Sequence, residues 1–358
     1  MRSDLIRGSG LATYQAGTDS GQEKIVTLVV ARCEKGRIAI AADTLVWAPG
    51  GPLPLTSGVV NSCCLPGYIC VSFNNSPDLA ANAFAKFADS HPRGANFETT
   101  VTFFEVSSGA ANNDYIIAFG KSPRLVTIRD GWRRSGLSKT HWIGDKDAYE
   151  KFREYEHRKR ERYEHGRAVN AALFADEMAG SPASELHGVM RNVVQDRELS
   201  TVGGFVTVLS NRDIGFRYSV YSDVLLDWPK DLADGRTLQL TDKFHLSASS
   251  ENDRFSVSQI SSGYYNMNIV AFYLLKGQLL VAFHGVNNGI ANRCSVFPRV
   301  EPSQISSTLN EKLGFNFGAL CIVMSSREGV SHHAPMSNPE HGISMSLYCE
   351  ANTMPNVS

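Results

Sequence analysis

The sequence predicts a mixed α+β fold, with antiparallel strand pairs alternating with a few helices. Three observations carry that prediction. Short apolar, β-branched runs come in pairs around glycine-containing turns; residues 184–194 carry apolar side chains at helical spacing; and residues 147–167 form a dense run of mixed charge.

Residues 26–31 and 38–42 are two apolar runs joined by Glu34-Lys35-Gly36, a hairpin signal, and the second run ends on Asp43-Thr44. Ser76-Pro77 then opens a helix over 76–87, with a serine cap, proline at the first helical position, and Leu79, Phe84 and Phe87 on one face. His141-Trp-Ile-Gly-Asp145 leads into a helical region over 147–196. Its first part is an exposed helix of mixed charge, and its second is a core helix with apolar residues at 186, 189, 190, 193 and 194.

Beyond these, residues 226–240 read as a linker. Strands are expected at 244–249, 255–260, 268–275 and 278–284, a helix at 303–312 and a strand at 318–325. The domain plan is therefore a leader (1–23), a first domain (24–225), the linker, a β-rich C-terminal module (241–330) and a polar tail (331–358). The module is expected to extend the first domain's sheet, mediate assembly or bind a partner.

The order and spacing of the segments between residues 24 and 225 resemble the β-type subunits of the proteasome and of HslV, in the N-terminal nucleophile (Ntn) hydrolase superfamily. The residues that carry the likeness are Thr27 and Asp43 at an ungapped separation, turn glycine Gly36, residues 65–73 that look like the family's next strand pair, residues 114–120 and 124–131 that look like its central hairpin, the Ile143-Gly144 turn into a helix, and residues 202–215 that resemble its late Gly-Gly strand and hairpin. The resemblance implies a four-layer αββα sandwich. It also implies that Thr27 becomes the nucleophile, with its own amine as base, once residues 1–26 are removed. Asp43 would then orient the site, and backbone N–H groups near Gly144 would hold an oxyanion. Asp145 stands where the family has a supporting serine. Asp196 and Ser200, followed by Thr201, supply the family's residue types near the Gly-Gly pair at a different spacing.

Two departures shape the functional expectation. Counted without gaps, the family's active-site lysine falls at Val59 or Val60, and residues 56–62 contain no lysine. A valine can neither lower a neighbour's proton affinity nor stabilise developing negative charge. Val26 also replaces the glycine whose freedom helps self-cleavage. The expected protein is thus a proteasome-subunit-like assembly or binding subunit without standard threonine-protease chemistry. The alternative is a self-processed threonine peptidase or amidohydrolase using Thr27 and Asp43, and a third reading is an adaptor whose specificity lies in the C-terminal module. The resemblance implies a homo- or hetero-oligomer, with a peptide or protein as substrate or partner.

Composition narrows the remaining classes. With 35 Lys+Arg against 36 Asp+Glu, the net charge is −1, which offers no long-range attraction to nucleic acid or an anionic membrane. No apolar run is long enough to span a bilayer. Seven cysteines without a Cys-x-x-Cys pair suit reduced thiols in the cytoplasm. His332, His333, His341 and Glu340 match no standard zinc spacing, so no metal and no cofactor are expected. His284, at a strand end, reads as a satisfied histidine or as the base of a second site.

Overall fold

The computed structural model describes residues 27–45, 47–48, 51–52, 58–134, 139–164, 173–174, 181–196, 198–212, 215–219, 221–225, 255–262, 269–274, 279–285, 290–301, 304–313, 335–338 and 343–346. The leader, the 226–240 linker, the strands expected at 244–249 and 318–325, and His332, His333, Glu340 and His341 lie outside them. The fold is mixed α+β with antiparallel sheets.

The opening hairpin is β1 (Leu28–Glu34) and β2 (Arg37–Asp43), turned through Lys35 and Gly36, both at positive φ. After the short pair β3 (Trp47–Ala48) and β4 (Gly51–Pro52) come β5 (Ser62–Leu65), β6 (Ile69–Phe73), α1 (Pro77–Ser90) and α2 (Phe97–Ala111). The chain continues through β7 (Tyr115–Phe119), β8 (Arg124–Arg129), β9 (Trp132–Arg134), β10 (Thr140–Gly144) and α3 (Lys146–Glu164). Then follow β11 (Leu173–Phe174), α4 (Pro182–Val194), β12 (Val206–Arg212), β13 (Gly215–Tyr218) and β14 (Tyr221–Leu225). The C-terminal part supplies β15 (Phe255–Ser262), β16 (Ile269–Leu274), β17 (Leu279–His284), β18 (Arg293–Phe297), α5 (Ile305–Leu313) and the pair β19 (Pro335–Asn338) and β20 (Ile343–Ser346).

Two five-stranded sheets organise the first part of the chain, one ordered β10-β1-β2-β12-β13 and the other β5-β6-β7-β8-β9. Strand alternation divides the second sheet's side chains between two cores. Cys70, Ile116 and Ala118 join the cluster built on β1 and β2. Val71, Phe73, Tyr115 and Ile117 join the cluster under α1 and α2. The apolar face predicted for α4 is the buried one: Leu186, Val189, Met190, Val193 and Val194 all lie in the core, each contributing roughly 1.5–3 kcal/mol of burial. That helix packs on β2 and β12, and α3 packs on α4.

The N-terminus of α1 is closed as the sequence suggests, by Ser76 with Pro77 in the first turn, and α4 is closed in the same way by Ser181 with Pro182. Helix α2 is an addition to the expected elements. Asn96 caps it, and its buried residues Phe97, Thr100, Val101, Phe104 and Ser108 form one helical stripe.

A third, six-stranded sheet runs β11-β14-β15-β16-β17-β18. It pairs β14, before residues 226–240, with β15 beyond them. The expected strands at 255–260, 268–275 and 278–284 are its β15, β16 and β17. Phe272 of β16 stacks on Phe205 with ring centroids 4.2 Å apart, which joins this sheet's apolar face to the first core.

Candidate functional site

Thr27, immediately before β1, and Asp43, the last residue of β2, meet at one end of the first sheet. The β1–β2 register makes this unavoidable, since Val29 pairs with Ala42 and the next residues outward are Leu28 and Asp43. The Thr27 hydroxyl donates to Asp43 Oδ1. Leu28 N–H donates to the same oxygen at 2.9 Å, and Gly203 N–H donates to Oδ2 at 3.0 Å. Thr27 and Asp43 are both buried.

The loop bearing Gly203 wraps the Asp43-Thr44 corner. Thr44 and Leu45 N–H groups donate to Gly203 O, and Phe205 N–H donates to Thr44 Oγ1 at 2.9 Å. Since Phe205 stacks on Phe272, the C-terminal sheet buttresses this loop. Ala291, just before β18, reaches the segment before β5, where Val60 N–H donates to its carbonyl oxygen at 3.0 Å.

Sequence spacing pointed to Val59 or Val60 as the residue beside the threonine from this segment. Both are buried apolar residues, and the one that reaches Thr27 is Asn61. Its Nδ2 donates to Thr27 Oγ1 at 2.8 Å and to Asp43 O at 3.1 Å. The orientation of the amide follows from its partners. A main-chain carbonyl only accepts, and the Thr27 hydrogen is already directed at Asp43, so the amide must present its NH₂ to both. Counting without gaps missed Asn61; the one signal available was a polar residue between apolar Val60 and the strand that follows.

With a neutral amide as its neighbour, Asp43 has no cation beside it among the described residues to offset its burial. Burial pushes its carboxyl up to about 6, against the pull of hydrogen bonds from Thr27, Leu28, Gly203 and Leu45.

Gly144 ends β10 opposite Leu28. Its φ is +109°, and a Cβ there would fall 1.8 Å from Thr27 O, so only glycine lets the two backbones approach this closely. The next N–H, that of Asp145, donates to Thr27 O at 2.8 Å and is therefore engaged with the chain itself. The Asp145 carboxylate caps α3, accepting from Asp147 N–H at 2.7 Å and Ala148 N–H at 3.0 Å, and also accepts from Thr201 Oγ1.

Thr27, Asp43, Gly144 and Asp145 are thus brought together with Asn61. Asp196 is placed against α3, where it accepts from the Tyr155 hydroxyl at 2.9 Å and from Glu198 N–H at 2.9 Å. Ser200 is exposed, and its neighbour Thr201 is the residue that reaches Asp145. His284 Nε2 lies 3.0 Å from Ser295 Oγ in the third sheet. No cluster of metal-ligating side chains occurs among the described residues, and no helix among them is long and apolar enough to cross a membrane.

No protein-family model matches the chain, and no curated protein matches it by sequence.

Proposed function

We propose that this is a proteasome-subunit-like protein of the Ntn hydrolase superfamily that acts as an assembly or binding subunit and lacks standard threonine-protease chemistry. Residues 24–225 are read as a four-layer αββα sandwich. Support for that reading comes from two five-stranded sheets sharing one interior core, with α3 and α4 on one and α1 and α2 on the other.

The observation that carries the functional half is the Asn61 amide at the Thr27 hydroxyl. A threonine nucleophile relying on its own amine needs that amine unprotonated at neutral pH. A nearby ammonium would favour the neutral amine, whereas Asp43 alone favours the charged one. Among the described residues the site offers the carboxylate without the cation, so the base would be held in its inactive form. Exposed Trp132 on β9 and exposed Val106 on α2 are apolar side chains available to a partner.

The test is intact mass after incubation at neutral pH, with sedimentation and peptide-hydrolysis assays on wild type and Thr27→Ala. The expected result is an unprocessed chain, larger than a monomer in solution, with no turnover above that of Thr27→Ala. The second reading, a self-processed threonine hydrolase, is favoured by the convergence of Thr27, Asp43 and Asn61 in hydrogen-bonding distance. Loss of residues 1–26 together with Thr27-dependent hydrolysis would replace the first reading with it.

A further inference from the structure

Cys64 of β5 and Cys70 of β6 stand directly opposite each other in the hairpin that follows Asn61. The phase of the ladder decides how closely they approach. Phe73 N–H donates to Asn61 O at 3.0 Å, which makes Asn61 and Phe73 a hydrogen-bonded pair. Pair types alternate along an antiparallel ladder, so Ser62–Ser72 and Cys64–Cys70 are both non-hydrogen-bonded pairs, the type whose side chains lie closer. The serines show that closeness, with hydroxyl oxygens 2.8 Å apart.

The cysteines occupy the same face one pair further along. A non-hydrogen-bonded pair holds its Cα atoms about 4.5 Å apart, and a disulfide spans Cα separations of about 4.4–6.8 Å. The two thiols are already hydrogen-bonding partners of each other. Cys63, adjacent in sequence, alternates to the opposite face of the strand. It joins the core under α1 and α2 with Val71, while Cys64 and Cys70 belong to the core built on β1 and β2. Strand geometry thus selects Cys70, and not the covalent neighbour Cys63, as the sulfur that meets Cys64.

Access divides the pair. Strand β5 is an edge of its sheet, and Cys64 on it is partly exposed, whereas Cys70 on the next strand inward is fully buried. Tyr218 of β13 approaches the same cysteines from the other sheet and donates to Ser62 O at 2.6 Å. Burial pushes the Cys70 thiol up, which keeps it protonated and slow to react by itself. A small oxidant arriving from solvent therefore meets Cys64 first, with Cys70 behind it as the resolving thiol.

We propose that Cys64 and Cys70 form a redox-active pair, which hydrogen peroxide closes to a disulfide and a thiol reductant reopens. In the first step the Cys64 sulfur attacks one peroxide oxygen. The O–O bond breaks, and the departing hydroxide takes the Cys64 proton and leaves as water. The Cys70 sulfur then attacks the sulfenic sulfur of Cys64. The S–S bond forms, the S–O bond breaks, and the Cys70 proton leaves with the hydroxide as a second water. Two electrons pass from the thiols to the peroxide. None of this uses Thr27, and it stands whether or not that residue reacts. The bridge would lock the hairpin whose first hydrogen-bonded pair contains Asn61.

The experiment treats the reduced full chain with equimolar hydrogen peroxide, alkylates the remaining thiols, and reads intact mass and a non-reducing peptide map. Wild type, Cys63→Ser and Cys70→Ser are compared. The expected result is that wild type and Cys63→Ser lose the mass of two hydrogens and two alkylatable thiols. Their maps join Cys64 to Cys70, and dithiothreitol restores both thiols. In Cys70→Ser the bridge is lost and Cys64 stops at the sulfenic acid, which dimedone traps. The wild-type and Cys63→Ser maps decide the matter even if Cys70→Ser fails to fold. A first bridge between any other cysteines, Cys63–Cys64 included, overturns the proposal. So does oxidation of Cys64 to the sulfinic acid without a bridge, or a Cys64–Cys70 pair left reduced.

Discussion

The Asn61 side chain donates to the Thr27 hydroxyl oxygen across 2.8 Å, from the segment where the resembled family places a lysine. Both residues are buried, so the contact is shielded from solvent, and the Asp43 carboxylate that accepts from Thr27 has no cation beside it among the described residues. The substitution Asn61→Lys tests what that neutrality does. An ammonium at this position favours ionised Asp43, whose carboxyl stands at about 6 in the wild type. The expected outcome is an Asp43 midpoint lower by roughly 1 pH unit or more, read from carboxyl-carbon NMR shifts during titration. An unchanged midpoint would show the new side chain turning away from the site.

Asp43 should also leave a signature in the pH dependence of stability. Its folded value of about 6 lies above the unfolded reference of 3.8, so the folded state holds the proton more tightly. The associated stabilisation is complete below the unfolded value and is lost as pH rises through the folded one. The two values differ by an amount equivalent to roughly 3 kcal/mol. Urea denaturation of wild type and Asp43→Asn, compared across about pH 4 to 7, should give a difference curve that falls for the wild type as pH rises. A flat difference curve would show that Asp43 is not the titrating group.

How much of this was legible in the sequence depended on whether a residue acts through local pattern or distant approach. The β1–β2 hairpin, the Ser76 cap and the apolar face of α4 follow from side chains within one element, and all three were readable. Helix α2 was missed because Thr99, Thr100, Val101 and Thr102 look strand-like, although Phe97, Val101 and Phe104 already repeat at helical spacing. Thr27 with Asp43 could be read because one hairpin register fixes them. Asn61 could not, because its place beside Thr27 is set by a connection through residues 44–60 whose length no periodicity reports. Asp196 and Ser200 show the converse. Residue type suggested the site, while the fold turns Asp196 to Tyr155 and brings up Thr201 instead.

Gly144 gives a sharper contrast with Gly36 than glycine content alone suggests. Both have positive φ, but a Cβ at Gly36 meets nothing within 4 Å, whereas at Gly144 it lands 1.8 Å from Thr27 O. Gly36→Ala should therefore cost only the conformational penalty, about 1 kcal/mol. Gly144→Ala must also push β10 away from Thr27, breaking the Asp145–Thr27 hydrogen bond, and should cost more than about 3 kcal/mol. Chemical denaturation of the two variants side by side checks the difference. Equal losses would mean that β10 can shift away from β1 without cost.

Arg32 connects the first sheet to the helices that cover it. It lies in β1 with its side chain 6% exposed, pairs with Glu156 of α3, and reaches Glu185 of α4 at 3.6 Å. Glu156 is the dominant partner, since Glu185 is half exposed and its attraction is screened by water. Removing Glu156 alone leaves a buried guanidinium with a weak partner, so Glu156→Gln should destabilise by roughly 2–4 kcal/mol. Replacing both members removes the desolvation cost together with the attraction. The double variant Arg32→Met/Glu156→Leu should accordingly lie within about 1 kcal/mol of wild type. A double-mutant cycle by urea denaturation decides it. If the double variant is as unstable as Glu156→Gln, the pair acts through specific geometry that apolar side chains of similar size cannot replace, and α3 is held to the sheet by that geometry.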